Sequence, residues 1–468
     1  MSTSSCRSSV EPLCSAQPIT AYTAPGASSM NKSNLALAVA LAALATEATA
    51  AGFIEDSKAS IGLRNFYYDL NTKNTANNNG EAQEWGQGFI FNYSSGFTEG
   101  TVGFGLDAIG LLGVKLDSGG RNTKTGRDRT PGQLFPLDSD GSAVDEYSKA
   151  GVTAKVRLSK TEARLGTLLP KLPVVTFNDG RLLPQTFEGG QITSNEIDGL
   201  TLTAGQLEST KTRSSTDDIA LRIAGATGDA DTNKFYFAGG DYKLTKDLAL
   251  QYYYGNLEDF YKQHFLGLAH NWAIGPGSLK TDLRYFDSGS DGKNGSAAGR
   301  AQGYRSAGYW RAGDSSTGEV DNQTWSALFT YTLGSHFASL GYQQVEGDSA
   351  FPFLNQGGGS SSYLITDRQI GKFQNAGERT WVAEYGYDFA KLGVPGLKAS
   401  VAYLKGDNVD SANGDLKEWE RDFRLDYTLQ DGPLKGLGVS WRNATQRGNV
   451  TTDADENRLI LSYTLTLL

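Results

Sequence analysis

From Lys58 almost to its last residue the chain places a large apolar side chain at every second position, stretch after stretch: Ile61, Leu63 and Tyr67; Trp85, Phe89, Phe91 and Tyr93; Val102, Phe104 and Leu106; Val152, Ala154, Val156 and Leu158. A period of two belongs to β-strands whose two faces meet different surroundings. The alternation resumes at Trp325, Ala327, Phe329 and Tyr331, at Trp381, Ala383, Tyr385 and Tyr387, and at Phe423, Leu425 and Tyr427. It ends with Leu437, Val439 and Trp441 and with Leu459, Leu461, Tyr463, Leu465 and Leu467. No long helical period interrupts it, and no apolar run approaches the ~20 residues that a membrane-crossing helix needs.

The longest apolar stretch, Leu35 to Ala45, lies near the N-terminus, behind Met30, Asn31 and Lys32 and ahead of Ala48-Thr49-Ala50. That order is a secretory signal peptide over residues 30–50, with cleavage expected before Ala51. Residues 1–29 then read as a non-structural leader preceding the true start at Met30, and residues 51–468 as the folded protein. Both cysteines, Cys6 and Cys14, belong to the leader, so no disulfide and no thiolate metal site is expected. Arg7 and Lys32 offset Glu11 and Glu47, so the exported chain keeps the net charge of -9. Nothing in this balance suggests a nucleic-acid partner.

Connections between strands alternate in length. Ser159 to Thr161, Gly334-Ser335 and Ala273 to Gly277 are very short; Asp117 to Asp145, Ser288 to Asp321 and Gly347 to Glu378 are long and rich in Gly, Ser, Asp and Asn. Tight turns at one end and long loops at the other mark an all-β transmembrane antiparallel barrel of about eighteen strands, both chain ends on the periplasmic side. The clusters Phe66-Tyr67-Tyr68, Tyr252-Tyr253-Tyr254 and Tyr285-Phe286 are read as interfacial girdles. A barrel this wide cannot be filled by its own wall side chains, so water remains inside. A plugged transporter needs more strands and an N-terminal plug domain, for which there is no room.

Several segments resemble the OprD-type (Occ) substrate-specific porins: GFIEDSKASIGLRNFYYD (52–69), GFTEGTVGFGLDAIGLLGVKLD (96–117), GRLLPQTFEGGQITSNEIDGLTLTAGQL (180–207), GNLEDFYKQHFLGL (255–268), GDSAFPFLNQGGG (347–359), GERTWVAEYGYDF (377–389) and ENRLILSYTL (456–465). The resemblance implies an 18-stranded outer-membrane barrel, monomeric or weakly trimeric. Its loops would fold inward, and a row of basic residues would guide carboxylate-bearing solutes. GRLLPQTFEGG and FPFLNQGGG are more similar to the branch for cyclic and aromatic carboxylates. The partners implied are small carboxylate solutes and the surrounding outer-membrane lipid and lipopolysaccharide, with no cofactor and no metal.

Strand parity nominates the residues. Arg64, Arg424, Arg442 and Arg458 fall in the phase opposite to the lipid-facing side chains, and the first strand of a closed barrel pairs with the last, so the four share one stretch of wall. Guanidinium groups hold a carboxylate by two hydrogen bonds and can pass it along a row. The alternative is a solvated wall whose arginines pair with Asp422 and Asp426. A second group in lumen phase, Lys149, Lys155, Arg157 and Arg164, is open to both readings. The apolar, proline-punctuated loop LPKLPVVTFNDGRLLP is expected to fold inward as a constriction. There Arg181 would supply a cation, Asp179 and Glu188 opposing anions, and Phe177 and Leu182 a surface for a ring; a loop that simply packs on the wall fits the same residues. Two other functions compete: an adhesive or structural barrel, and a barrel hydrolase. The second is weak, because His264, His270 and His336 are the whole histidine supply and none has a triad partner at a marked spacing.

Overall fold

The computed structural model describes residues 52–73, 80–120, 130–308, 318–354, 361–411 and 414–468. The leader, the signal segment, the cleavage point before Ala51, both cysteines and part of the FPFLNQGGG loop fall outside the described residues. Eighteen long strands are present among the rest: β1 (Lys58–Thr72), β2 (Glu81–Ser94), β3 (Val102–Ser118), β4 (Glu146–Leu158), β5 (Thr161–Leu168), β6 (Thr186–Ile197), β7 (Leu200–Lys211), β8 (Phe235–Lys243) and β9 (Leu248–Leu257) make one half. The other half is β10 (Tyr261–Ile274), β11 (Gly277–Ser290), β12 (Asp321–Leu333), β13 (His336–Glu346), β14 (Arg379–Asp388), β15 (Leu397–Val409), β16 (Leu416–Thr428), β17 (Gly438–Gly448) and β18 (Ala454–Thr466).

Each strand pairs antiparallel with the next, and β1 pairs antiparallel with β18, Ser60 opposite Thr466, which closes the sheet into a barrel. Closure removes the sheet edges that would otherwise lie unpaired in lipid. The turns at the end that holds both strand termini are tight; Gly275 and Gly334 sit in them at φ 57° and 60°, the left-handed region that a two-residue hairpin turn needs and glycine adopts without strain. Ser159 takes the same conformation at φ 56°, steadied by its hydroxyl donating to Glu196 at 3.0 Å.

Leu266, Leu340 and Trp381 are more than half exposed on the outer wall, as lipid-facing side chains must be. The aromatic clusters do not sit together in girdles, which corrects the expectation from sequence. Tyr252 and Tyr285 face outward, whereas Phe66, Tyr68, Tyr253 and Phe286 are buried under loops on the inner wall. Adjacent residues of a strand point to opposite faces, so a run of aromatics is divided between lipid and lumen.

The long loops fill part of the lumen. Val174 and Val175 of loop 169–185 join the buried cluster on β6–β11 with Phe187, Phe237, Phe265 and Phe286. Seven to nine sequence positions further on, Leu182 and Leu183 are buried at the opposite side against Phe66, Tyr68, Leu111, Phe135 and Tyr147. This loop therefore crosses the channel from wall to wall. Isolated β-bridges, Thr176 to Ser361 and Ile223 to Leu354, tie loops to one another.

Candidate channel constriction

Beside loop 169–185 lies a cavity of about 300 Å³ whose lining includes Arg64, Asp179, Arg181, Arg424, Asp426 and Arg442. Antiparallel register brings the arginines there: Arg424 of β16 is opposite Arg442 of β17, and Arg442 is opposite Arg458 of β18. Arg64 of β1 lies across the closure seam, opposite Ser462.

The arginines differ in how they are held. Arg64 grips Asp179 with both terminal nitrogens, at 2.7 and 3.1 Å, and donates to the Arg181 carbonyl at 2.9 Å. Arg424 pairs with Asp426 on its own strand. Arg442 donates to Ser440 Oγ at 3.2 Å, and among the described residues no carboxylate lies within 4.0 Å of it. Arg458 faces inward as its parity requires, yet only 5% of it is exposed; it binds Glu456 at 2.6 Å and the Gln369 carbonyl at 2.9 Å. It braces loop 347–378 and does not line the cavity.

Arg181 is stacked over the Tyr68 ring at 4.3 Å and lies 3.7 Å from Glu456. Of the two expected opposing anions, Asp179 is held by Arg64, and Glu188 accepts from Thr167 at 2.8 Å and faces Lys211 at 3.8 Å. Burial first, and the Arg458 guanidinium second, push the Arg181 pKa down. The same holds for Arg213 of the next loop, lowered by burial and then by Arg181 and Arg458; its Nη1 donates to Asn178 at 3.3 Å. Cations are thus crowded along one side of the lumen.

Leu182 cannot offer a surface to a passing ring, because it is fully buried in the wall cluster; it is a foot of the loop. Phe177 is half-buried, with the Lys171 ammonium 5.3 Å above its ring. The second basic group is divided. Lys149 is buried and donates to the Pro184 and Thr212 carbonyls, both at 2.8 Å, fastening two loops. Lys155 is buried and bound to Asp107 at 2.6 Å. Arg157 is stacked on Phe97 at 4.2 Å. Arg164 is 3.7 Å from Asp107 and lines a separate cavity of about 640 Å³ near the strand termini.

Sequence reading missed the residues that seat the loops. Glu84 of β2 accepts from the backbone N–H groups of Gly132, Gln133 and Leu134, at 3.2, 2.5 and 2.6 Å. Glu420 of β16 does the same for Gln369, Ile370 and Gly371, at 3.3, 3.0 and 2.5 Å. Strand parity puts both carboxylates in lumen phase, which was a signal; which loop would reach them was not encoded locally. The three histidines all stand on the outer wall. His264 meets Tyr252 at 3.0 Å, His336 meets Tyr385 at 2.7 Å, and the His270 ring lies 4.3 Å from that of Trp272, tilted against it, so none faces the cavity.

A family model described as outer membrane porin, OprD family, matches residues 51–467. Among solved structures, Pseudomonas aeruginosa OccK8 (OprE) is 60% identical with a TM-score of 0.82, covering 89% of this chain and 100% of that one. Pseudomonas aeruginosa OpdK, in its structure with vanillate, is 39% identical with a TM-score of 0.78 and the same coverage. The porin-like protein GalP of Pseudomonas putida is 37% identical over 432 residues, which are 91% of this chain and 96% of the relative.

Proposed function

Because this chain belongs to the OprD family of outer-membrane porins, we propose that the small solutes it carries are carboxylates, those built on a ring foremost. One observation carries the reading: Arg442, in the middle of the Arg424–Arg442–Arg458 register row, opens on the constriction without a carboxylate of its own among the described residues. A guanidinium in that position is available to a solute, and two charge-assisted hydrogen bonds suit a carboxylate. Arg64 and Arg424 stand beside the same cavity to receive it next. Their own partners, Asp179 and Asp426, keep each hold weak enough to release. The likeness to a porin solved with vanillate, an aromatic carboxylate, supports the ring preference.

The protein as a whole is acidic, but passage depends on the local field inside a narrow, low-dielectric wall. Water screens that field over ~8 Å at physiological ionic strength, so several cations along one wall are needed and their pull fades as salt rises. The competing reading, a solvated and internally paired wall, draws on the three ion pairs at Arg64, Arg424 and Arg458. Arg442→Gln separates the two. Benzoate entry into liposomes should fall about tenfold, the worth of one hydrogen bond to a charged group, while a neutral sugar enters as before and the reversal potential moves towards cations. Unchanged benzoate flux and reversal potential would leave the paired-wall reading standing.

A further inference from the structure

Around the outer wall, near the long-loop end of the strands, runs a belt of aromatic rings. Trp325, Tyr342 and Trp381 are contiguous, with ring centroids 5.3 and 4.9 Å apart, and the belt resumes with Tyr403 and Trp419, 5.8 Å apart. Cations interrupt it. Lys405 of β15 is the register partner of Trp381 on one side and of Trp419 on the other, and Arg421 of β16 is the partner of Tyr403.

Both cations are exposed on the lipid-facing phase. Among the described residues neither has a carboxylate within 4.0 Å, and Arg421 donates only to Thr445 Oγ1, at 3.0 Å. Arg447, opposite Trp419, is held by Asp455 at 2.8 Å. Arg379 and Lys417 stand nearer the loops on the same face, with Asp407 opposite Arg379. The carboxylates of the patch therefore lie at its loop edge and beside Arg447, and the two cations at belt level are left uncompensated. Elsewhere the outward positions at this end of the strands include Glu208, Asp287, Asp321 and Glu346, so a basic patch stands out from an acidic rim.

A lysine or arginine on the lipid face of a barrel is costly at the bilayer midplane and far less so near the interface. Long side chains reduce that cost by reaching for the headgroups. A bound anion reverses its sign. In the outer leaflet the anion at that depth is a phosphate on the headgroup sugar of lipopolysaccharide. We propose that Lys405 and Arg421 bind such a phosphate, with Trp381, Tyr403 and Trp419 lying against the sugar and the first acyl carbons.

The test is native mass spectrometry of the folded barrel in detergent, titrated with bisphosphorylated lipid A and, separately, with the same lipid dephosphorylated. The phosphorylated lipid should be retained and the dephosphorylated one lost. The double variant Lys405→Gln, Arg421→Gln should bind the phosphorylated lipid about tenfold more weakly, whereas Lys262→Gln, which removes an exposed outward cation from β10, should bind it as the unaltered protein does. Equal retention of the dephosphorylated lipid overturns the proposal and needs no variant to fold. Unchanged affinity in the double variant, with its heat-modifiable gel shift intact, overturns it as well.

Discussion

The inward face of β6–β11 carries Phe187, Leu207, Phe237, Tyr253, Phe265 and Phe286, all buried beneath loops. The inward face of β16–β18 carries Arg424, Arg442 and Arg458 with Glu420, Asp426 and Glu456. The strands have the same period and the same phase, yet one wall is packed shut and the other borders the open cavity. A barrel of this width has more lumen than wall side chains can fill; loops supply the missing volume where they find an apolar seat, because burial there stabilises them at ~25 cal/mol per Å². Against arginines the same loops touch down through polar contacts, such as the Arg64–Asp179 ion pair, the Arg458 bond to the Gln369 carbonyl and the Glu420 bonds to the Gln369–Gly371 backbone, and water keeps the rest. Off-centre filling places the constriction beside the cations.

The packed side is where the largest effect is expected. Phe237→Ala removes a buried ring from under loops 169–185 and 347–378, at a cost of about 3–5 kcal/mol by analogy with other core truncations. Single-channel conductance should rise and anion preference fall, with the barrel still assembled. An unaltered conductance would mean that the apolar seat does not hold the loops in. On the open side, Asp179→Asn should change stability little, since a partly exposed ion pair contributes about 0–1 kcal/mol. It releases Arg64, however, so the reversal potential should move towards anions at an unchanged melting temperature; no movement would show that Arg64 acts only as a strut for the loop.

The smallest effect is one of pH. Burial, and after it the neighbouring Glu418 carboxylate, push the Glu378 pKa up at the root of loop 347–378, where Asn375 donates to it twice at 3.0 Å. A folded-state pKa above the unfolded one makes this carboxyl favourable to the seated loop at low pH. That contribution is complete below the ordinary carboxylate range and is lost as pH rises through the raised value. Current recorded at rising pH should therefore grow noisier, and Glu378→Gln should abolish the trend. Equal pH dependence in that variant would assign the noise to other groups.

Parity was enough to sort the wall. Arg64, Arg424, Arg442 and Arg458 were legible as lumen residues because a strand has only two faces, and β1 had to meet β18 once the strand count was even and the sheet closed. The same rule, applied residue by residue, would have divided Tyr252 from Tyr253 and Tyr285 from Phe286. Treating them as clusters lost that information. The constriction loop was legible from its composition alone, since Val174, Val175, Leu182 and Leu183 are too apolar for a loop left in water.

What the amino-acid order could not contain was which of those inward groups would find partners. Arg458 and Arg442 are register neighbours with the same parity, yet one is buried against Glu456 and a loop carbonyl while the other meets the cavity. Lys149, Lys155 and Leu182 became fasteners for the same reason. The sequence by itself determined the strands, their faces, the closure and therefore the existence of a water-filled lumen, because these follow from local periodicity and from the requirement that backbone groups in lipid be paired. Only the tertiary structure decided where the lumen stays open. That outcome depends on loops from distant parts of the chain competing for wall positions, and each contact is set by side chains brought together across the barrel and far apart along the chain.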